Sequence, residues 1–312
     1  MRILIVGAGA IGGYFGGRLL EAGRDVTFLV RPGRAAELQR DGLIVRSAQG
    51  NILYPSPPVV MAEMLGEPYD LIILSCKAYD LDYAMDAFAA AVGPDTAILP
   101  LLNGMAHLDR LGARFNMANV LGGQCLISLD RDASGAILHL GEANQLTFGE
   151  LSGASTRRIL RVAEALADAG FEASFSQHIL QDMWDKWCFI ATAAGITCCM
   201  RASLGDVLSA GGQGLLIKLF AECATIATAA GYPLAEAVRQ RFLKVLTTPG
   251  SPMTASMLRD IERGAPIEAE HVLGDLLLHR DTAGLAVPDL SVLGFAYTHL
   301  KAYQLRRLRE SR

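Results

Sequence analysis

Six residues near the N-terminus constrain this chain more than any other feature. Gly7-Ala8-Gly9-Ala10-Ile11-Gly12 follows a short apolar run at residues 3–6 and opens a segment with helical patterning. A glycine loop between a strand and a helix predicts a dinucleotide-binding turn. Gly7 permits the tight turn, Gly9 lets backbone approach a pyrophosphate, and Gly12 lets helix and strand pack closely. Unpaired N–H groups of the loop, those of Ala8, Ala10 and Ile11 included, would face the phosphates together with the helix dipole.

The rest of the first half fits that start. Aliphatic runs at residues 26–30, 71–75, 97–102 and 120–127 are short and wholly apolar, as strands of a parallel sheet covered on both faces must be. Residues 43–46 and 51–54 flank Ser47-Ala48-Gln49-Gly50 and predict a hairpin, and residues 138–140 and 145–149 predict a second antiparallel pair near the sheet edge. A helix over 155–169 should stop at Gly170 and lead into a last strand at 171–175. Beyond that only helical patterns remain, at 179–194, 215–230, 234–246, 253–263, 268–283 and 291–308. Breakers at Gly231-Tyr232-Pro233, at Thr248-Pro249-Gly250-Ser251-Pro252 and at residues 284–288 separate several of them. A length of 312 residues also favours two cores over one. The expected fold is an α/β Rossmann-type domain with a mostly parallel sheet over residues 1–176, followed by an all-α domain over 177–312 for substrate and dimerisation.

Composition excludes several classes. Hydrophobic residues are 51% of the chain and charged ones 19%, enough apolar mass to bury a core rather than stay disordered. The net charge is −4 with no basic stripe, which argues against nucleic acid as a partner. Cys76, Cys125, Cys188, Cys198, Cys199 and Cys223 lie in apolar contexts without CxxC spacing, so neither a disulfide framework nor a zinc site is expected and a reducing cytoplasm is the simplest location. The adjacent Cys198 and Cys199 read as buried small residues rather than a redox pair. The histidines are dispersed and no metal is expected. The greasy run at 187–200 is too short to span a bilayer, so no membrane association is expected. Apolar stretches at 215–230 and 291–300 make a homodimer a candidate assembly.

The end of the second strand selects a cofactor. An NAD enzyme usually places a carboxylate there for the ribose hydroxyls, whereas this chain has Val30-Arg31-Pro32-Gly33-Arg34. The Arg31 guanidinium suits a 2′-phosphate, so NADP(H) is expected. In Gln181-Asp182-Met183-Trp184-Asp185-Lys186-Trp187, Lys186 begins an otherwise apolar helical stretch. On spacing alone the simpler readings hold: Lys186 pairs with Asp182 one turn earlier, and Glu268 lies on a solvated helix face. The two tryptophans, Trp184 and Trp187, are expected to support packing between the domains.

Taken together, these segments resemble the ketopantoate reductase (2-dehydropantoate 2-reductase) family over almost the whole chain. The likeness is carried by the glycine loop, Val30-Arg31, Cys76-Lys77-Ala78, Leu102-Asn103-Gly104-Met105, Trp184-Asp185-Lys186-Trp187 and Ser256-Met257-Leu258-Arg259-Asp260-Ile261, with Glu268 following Ser256 at the family's interval. The resemblance implies NADPH-dependent reduction of a small 2-oxo acid, 2-dehydropantoate to pantoate, as in pantothenate biosynthesis. It makes Lys186 the general acid and gives Glu268 the task of positioning Lys186 or binding the substrate hydroxyl. Asn103 and Lys77 would contact the nicotinamide ribose and organise the site, with Asn103 also near substrate, and Ser256 would bind the substrate carboxylate. Typical members carry asparagines where this chain has Ile190, Ala194 and Met253. Loss of those amides implies a less polar pocket, so a reductase of another 2-oxo acid is the alternative, and a non-catalytic NADP(H) sensor is the rival outside enzymology.

Overall fold

The computed structural model describes residues 1–287 and 290–310. The chain divides into two compact units, Met1–Leu102 with His107–Ile179, and Asn103–Ala106 with Leu180–Arg312. In chain order the first half runs β1 (Arg2–Val6), α1 (Ala10–Glu21), β2 (Asp25–Leu29), α2 (Pro32–Asp41), β3 (Leu43–Arg46), β4 (Ile52–Tyr54), β5 (Val59–Val60) and β6 (Leu71–Leu74). It continues through α3 (Leu81–Phe88), β7 (Ala97–Pro100), α4 (Ala106–Phe115), β8 (Leu121–Arg131), β9 (Ile137–Glu150), α5 (Arg157–Leu166) and β10 (Glu172–Phe175).

Five parallel strands in the order β5-β2-β1-β6-β7 form the first sheet. Ile3, Leu4 and Ile5 of β1 and all four residues of β6 are fully buried, which is why these runs show no polar alternation. Parallel pairing puts the carboxyl ends of β1, β2, β6 and β7 on one side, so the connections that follow them emerge together.

Helix α1 lies unusually close to this sheet because of its glycines. A Cβ on Gly12 would overlap the carbonyl oxygen of Gly7 and the hydroxyl of Ser75, and one on Gly16 would come 2.5 Å from the Phe28 ring. Neither position has room for a side chain. The far end of α1 is fastened by Arg18, which is 3% exposed, lies over the Tyr14 ring and donates to Gly50 O at 2.7 Å. That bond ties the turn of the β3–β4 hairpin to the helix.

The second sheet follows the order β10-β9-β3-β4, with β8 also on β9. The hairpin expected from residues 43–54 is present, with Leu43 opposite Tyr54 and Val45 opposite Ile52. The expected short antiparallel pair at 138–149 is instead one strand, β9, paired antiparallel with β8 from Leu121↔Glu150 to Arg131↔Ile137. Gly141, with φ 117°, marks an irregularity rather than a hairpin turn: the register passes from Ile127↔Asn144 to Leu129↔His139, and His139 Nε2 lies 2.8 Å from Ala143 O across the bulge. Strand β8 likewise joins this second sheet, although Val120 makes one parallel bridge with Ile98.

The second unit is helical: α6 (Ile179–Met200), α7 (Leu204–Ser209), α8 (Gln213–Ala229), α9 (Glu236–Leu246), α10 (Ser256–Glu262), a π-helical turn (Glu270–Gly274) that continues into α11 (Asp275–Thr282), and α12 (Val292–Glu310). Helix α6 outruns its expected end, and α7 is an unforeseen helix closed by a Ser203/Asp206 capping box. Helix α10 starts later than the pattern suggests, because Met253 O accepts from Leu204 N and Ala255 N donates to Thr197 Oγ1, which holds residues 253–255 out of the helix. Of the breaker at 284–288, Pro288 lies outside the described residues.

Leu216, Leu219 and Phe220 of α8 and Leu293, Ala296 and Leu300 of α12 are buried in one apolar cluster, so much of the apolar content of these helices is used within the unit. Glu222 of α8 accepts from Ser291 Oγ, Val292 N and Leu293 N at 2.6–3.3 Å, and so caps α12 from a distance. Among the described residues no helix is long and apolar enough to cross a membrane.

Two stability outcomes follow. Gly12→Ala should cost at least about 1–3 kcal/mol in urea unfolding because its contact is backbone, whereas Gly9→Ala, with nothing within 4 Å of its Cβ, should stay within about 0.5 kcal/mol of the parent. Glu222→Ala should lose about 1–2 kcal/mol through the exposed N-terminus of α12, with Glu222→Gln recovering part of it. Equal stability of Gly12→Ala and Gly9→Ala would contradict the packing account.

Candidate active site

The glycine loop is built with its carbonyls tied inward. Ser75 Oγ shares its one proton between Val6 O at 3.0 Å and Gly7 O at 3.3 Å, and Arg34 Nε donates to Ala8 O at 3.0 Å. Gly7 has φ 93°, in the left-handed region that favours glycine, and its N–H donates to Leu29 O. Gly9 is the N-cap of α1 and supplies no side-chain cap, and the first turn contains no acidic residue. The first N–H groups of α1, those of Ala10, Ile11 and Gly12, therefore form an uncapped, positively polarised end. With the space above Gly9 open, the loop fits the pyrophosphate of a dinucleotide.

The two arginines after β2 have different surroundings. Arg34 is largely buried and is committed to Ala8 O and to Glu37 at 2.8 Å. Arg31 is more than half exposed. It pairs with Asp80 Oδ1 at 3.0 Å and lies 4.5 Å from the centre of the Tyr83 ring. The Asp80 hydrogen bond and charge hold the Arg31 guanidinium above its ordinary range, outweighing its slight burial. Lys77 is half-buried after β6 and caps the short 3₁₀ turn Ala78–Asp80, whose closing N–H, from Asp80, donates to Lys77 O. Asp80 and Tyr83 are the residues that sequence reading missed here, because nothing local marks a partner on another strand connection.

In the second unit the structure brings two of the expected residues together. Lys186 Nζ donates to Asn103 Oδ1 at 3.1 Å, and both residues are half-buried. The segment carrying Asn103 is held against the π-helical turn. Gly104 has φ 77°, and a Cβ there would come 2.6 Å from His271 O, while Ala106 N donates to Asp275 Oδ2 at 3.2 Å. The neighbour of Lys186 is tied to the same turn, since Trp187 Nε1 donates to Val272 O at 2.8 Å. A π turn displaces a carbonyl from the usual helical ladder, and here an indole satisfies one. Glu268 is half-buried just before this turn and its carbonyl accepts from Val272 N at 2.9 Å.

Ser256 opens α10 and is exposed, with Met257 and Leu258 behind it in the core. Ile190 and Ala194 follow Lys186 at successive turns of α6, on its face. Ala194 is 4% exposed and Ile190 and Met253 are partly buried, all within one apolar cluster. Trp184 and Trp187 are buried within the second unit, where Trp184 stacks on Tyr232 at 5.5 Å and both indoles meet His279 edge-on. Burial pushes the thiols of Cys198 and Cys223 up to about 12 and that of Cys199 to about 11, so all three stay protonated at neutral pH. Burial also raises the Asp185 carboxyl, which accepts from Gln181 Nε2 at 2.8 Å.

Comparison with known proteins identifies the family. A family described as Ketopantoate reductase PanE/ApbA matches residues 3–153, and Ketopantoate reductase PanE/ApbA C terminal matches residues 178–304. The chain is 36% identical to the uncharacterized oxidoreductase YkpB of Bacillus subtilis over 308 residues, which is 98% of this chain and 100% of that protein. The crystal structure of 2-dehydropantoate 2-reductase from Methylococcus capsulatus superposes with a TM-score of 0.86 at 27% identity over 98% of each chain. A ternary structure of D-mandelate dehydrogenase with NADH and anilino(oxo)acetate shares the fold, with a TM-score of 0.86 at 22% identity over 98% of this chain and 99% of that one. The glycine loop, the Lys186–Asn103 pair and matches spanning both halves together place this chain in the ketopantoate reductase family of oxidoreductases, to which it belongs.

Proposed function

We propose that this protein is an NADPH-dependent reductase that converts a 2-oxo acid to a 2-hydroxy acid, with 2-dehydropantoate as substrate and pantoate as product. The observation that carries the reading is the Lys186 ammonium held by the Asn103 amide oxygen on a helix that carries no charge beyond it, from Trp187 to Met200. An amide oxygen orients the ammonium without itself neutralising the charge, and an ammonium carries three N–H donors, of which this contact uses one.

Reducing a ketone requires two electrons at carbon and a proton at oxygen. The bound reduced nicotinamide would supply hydride to the carbonyl carbon. Lys186 donates the proton to the carbonyl oxygen as it becomes an alkoxide, and is reprotonated from solvent. Glu268 positions Lys186 or accepts from the substrate hydroxyl. Ser256 hydrogen-bonds the substrate carboxylate. Asn103 fixes Lys186 through Oδ1 and turns its amide N–H groups toward the ribose or substrate. Gly7, Ala8, Gly9, Ala10, Ile11 and Gly12 hold the pyrophosphate, Arg31 the 2′-phosphate, and Lys77 the nicotinamide end.

A second reading is favoured by one observation. Ile190, Ala194 and Met253 place apolar groups where hydrogen-bonding amides would recognise a hydroxylated acid, so the preferred substrate would be a less polar 2-oxo acid handled by the same residues. The two readings differ only in kcat/KM across a substrate panel.

Following NADPH absorbance with ketopantoate and a series of apolar 2-oxo acids distinguishes them. Lys186→Ala should lower kcat by about 10²–10⁴-fold while leaving NADPH affinity unchanged. Gly9→Ala should fold normally yet bind NADPH poorly, since its methyl group occupies the space for the pyrophosphate. Arg31→Ala should weaken NADPH by about 10–100-fold and leave NADH nearly unaffected. Tight NADPH binding with no turnover of any acid in the panel would reject both readings in favour of a sensor.

A further inference from the structure

Arg31 does not present a free guanidinium to a ligand. Its Nη2 is 3.0 Å from Asp80 Oδ1, and the Tyr83 ring lies against the same group at 4.5 Å. Asp80 and Tyr83 come from one local segment, the 3₁₀ turn after Lys77 and the start of α3. Asp80 occupies the N-cap position of α3, where an aspartate ordinarily accepts from the helix's own N–H groups. Its side chain makes no such bond, and the carboxylate is turned to Arg31 instead. The ion pair thus draws the Asp80 carboxylate away from the N–H groups of the helix it opens.

We propose that Asp80 is a specificity-determining residue that limits how strongly this chain prefers the phosphorylated dinucleotide. The inference rests on the reading that Arg31 receives the 2′-phosphate. A ribose phosphate brings about 1.5 to 2 negative charges to a guanidinium that already holds a carboxylate, so two anions compete for one cation. An unphosphorylated ribose brings hydroxyls, which donate to a carboxylate and are not repelled by it. Asp80 thus penalises the 2′-phosphate and offers an acceptor to the hydroxyl, and both effects compress the ratio of the two affinities. Tyr83 reinforces this by restraining Arg31 from swinging away from Asp80.

The test measures Kd for NADPH and NADH by fluorescence titration of the full-length protein carrying Asp80→Asn, Asp80→Glu or Arg31→Ala. Asp80→Asn preserves shape and removes the charge. It should raise the ratio Kd(NADH)/Kd(NADPH) by roughly tenfold, which lies between the effect of one charge a few ångströms away in bulk water and the larger effect near a protein surface, as suits an exposed, screened pair. Asp80→Glu should keep a ratio close to the parent, and the melting temperature of all three variants should match it because the pair is exposed. An unchanged or lowered ratio in Asp80→Asn overturns the inference. If Arg31→Ala weakens NADPH while Asp80→Asn leaves the ratio alone, only the role of Asp80 falls. If Arg31→Ala leaves NADPH affinity intact, the cofactor reading falls with it.

Discussion

The close seating of α1 on the parallel sheet is the constraint from which the cofactor end of the structure follows. Gly12 has no room for even a methyl group against Gly7 O, and Gly16 is filled by the Phe28 ring. This contact sets where the first turn of α1 points, and Ser75 and Arg34 tie the loop carbonyls inward. An uncapped helix end would ordinarily be a liability, since its N–H groups lack partners. Here that end carries neither an acidic residue nor a side-chain cap, an arrangement suited to an anionic ligand.

The second unit solves a different problem, that of holding a lysine in an apolar setting. Desolvation opposes a charged amine, so the group needs polar partners fixed in place. Asn103 provides one, and its own segment is pressed against the π-helical turn through Gly104 and Asp275. Trp187, adjacent to Lys186 in α6, donates to that turn as well. A single irregular turn therefore fastens the lysine's helix and the lysine's partner, while Ile190 and Ala194, at later turns of α6, belong to the apolar cluster of the unit. In this unit the buried indoles combine packing with a hydrogen bond, which fixes their orientation more tightly than apolar contact alone would.

Electrostatics at the ribose end depends on pairing rather than on residue count. Arg31 and Arg34 are close in sequence, yet one is consumed by backbone and Glu37 and the other faces Asp80 and Tyr83. Two arginines after a second strand thus do not amount to two phosphate ligands. The environment that each helix and turn builds around the guanidinium decides which one can act.

By itself the sequence determined the elements whose signals are local. Buried strands read as unbroken aliphatic runs, Gly7 and Gly12 announced the tight loop, and the loss of strand patterning after residue 176 announced the helical half, because backbone sterics and burial act over a few residues at a time. The same local logic misled at residues 138–149, where the expected antiparallel pair is one strand with a bulge near Gly141, and at residues 253–255, where bonds to Leu204 and Thr197 delay the helix. Resemblance to a family singled out Lys186 and Asn103, but their 3.1 Å contact exists only because α6 and the segment after β7 are folded against the same π turn. The commitment of Arg34, the Asp80 partner of Arg31 and the indole bond to Val272 were likewise decided by tertiary structure. Each joins groups distant in the chain, and no local pattern encodes the free energy of a contact whose two halves meet only on folding.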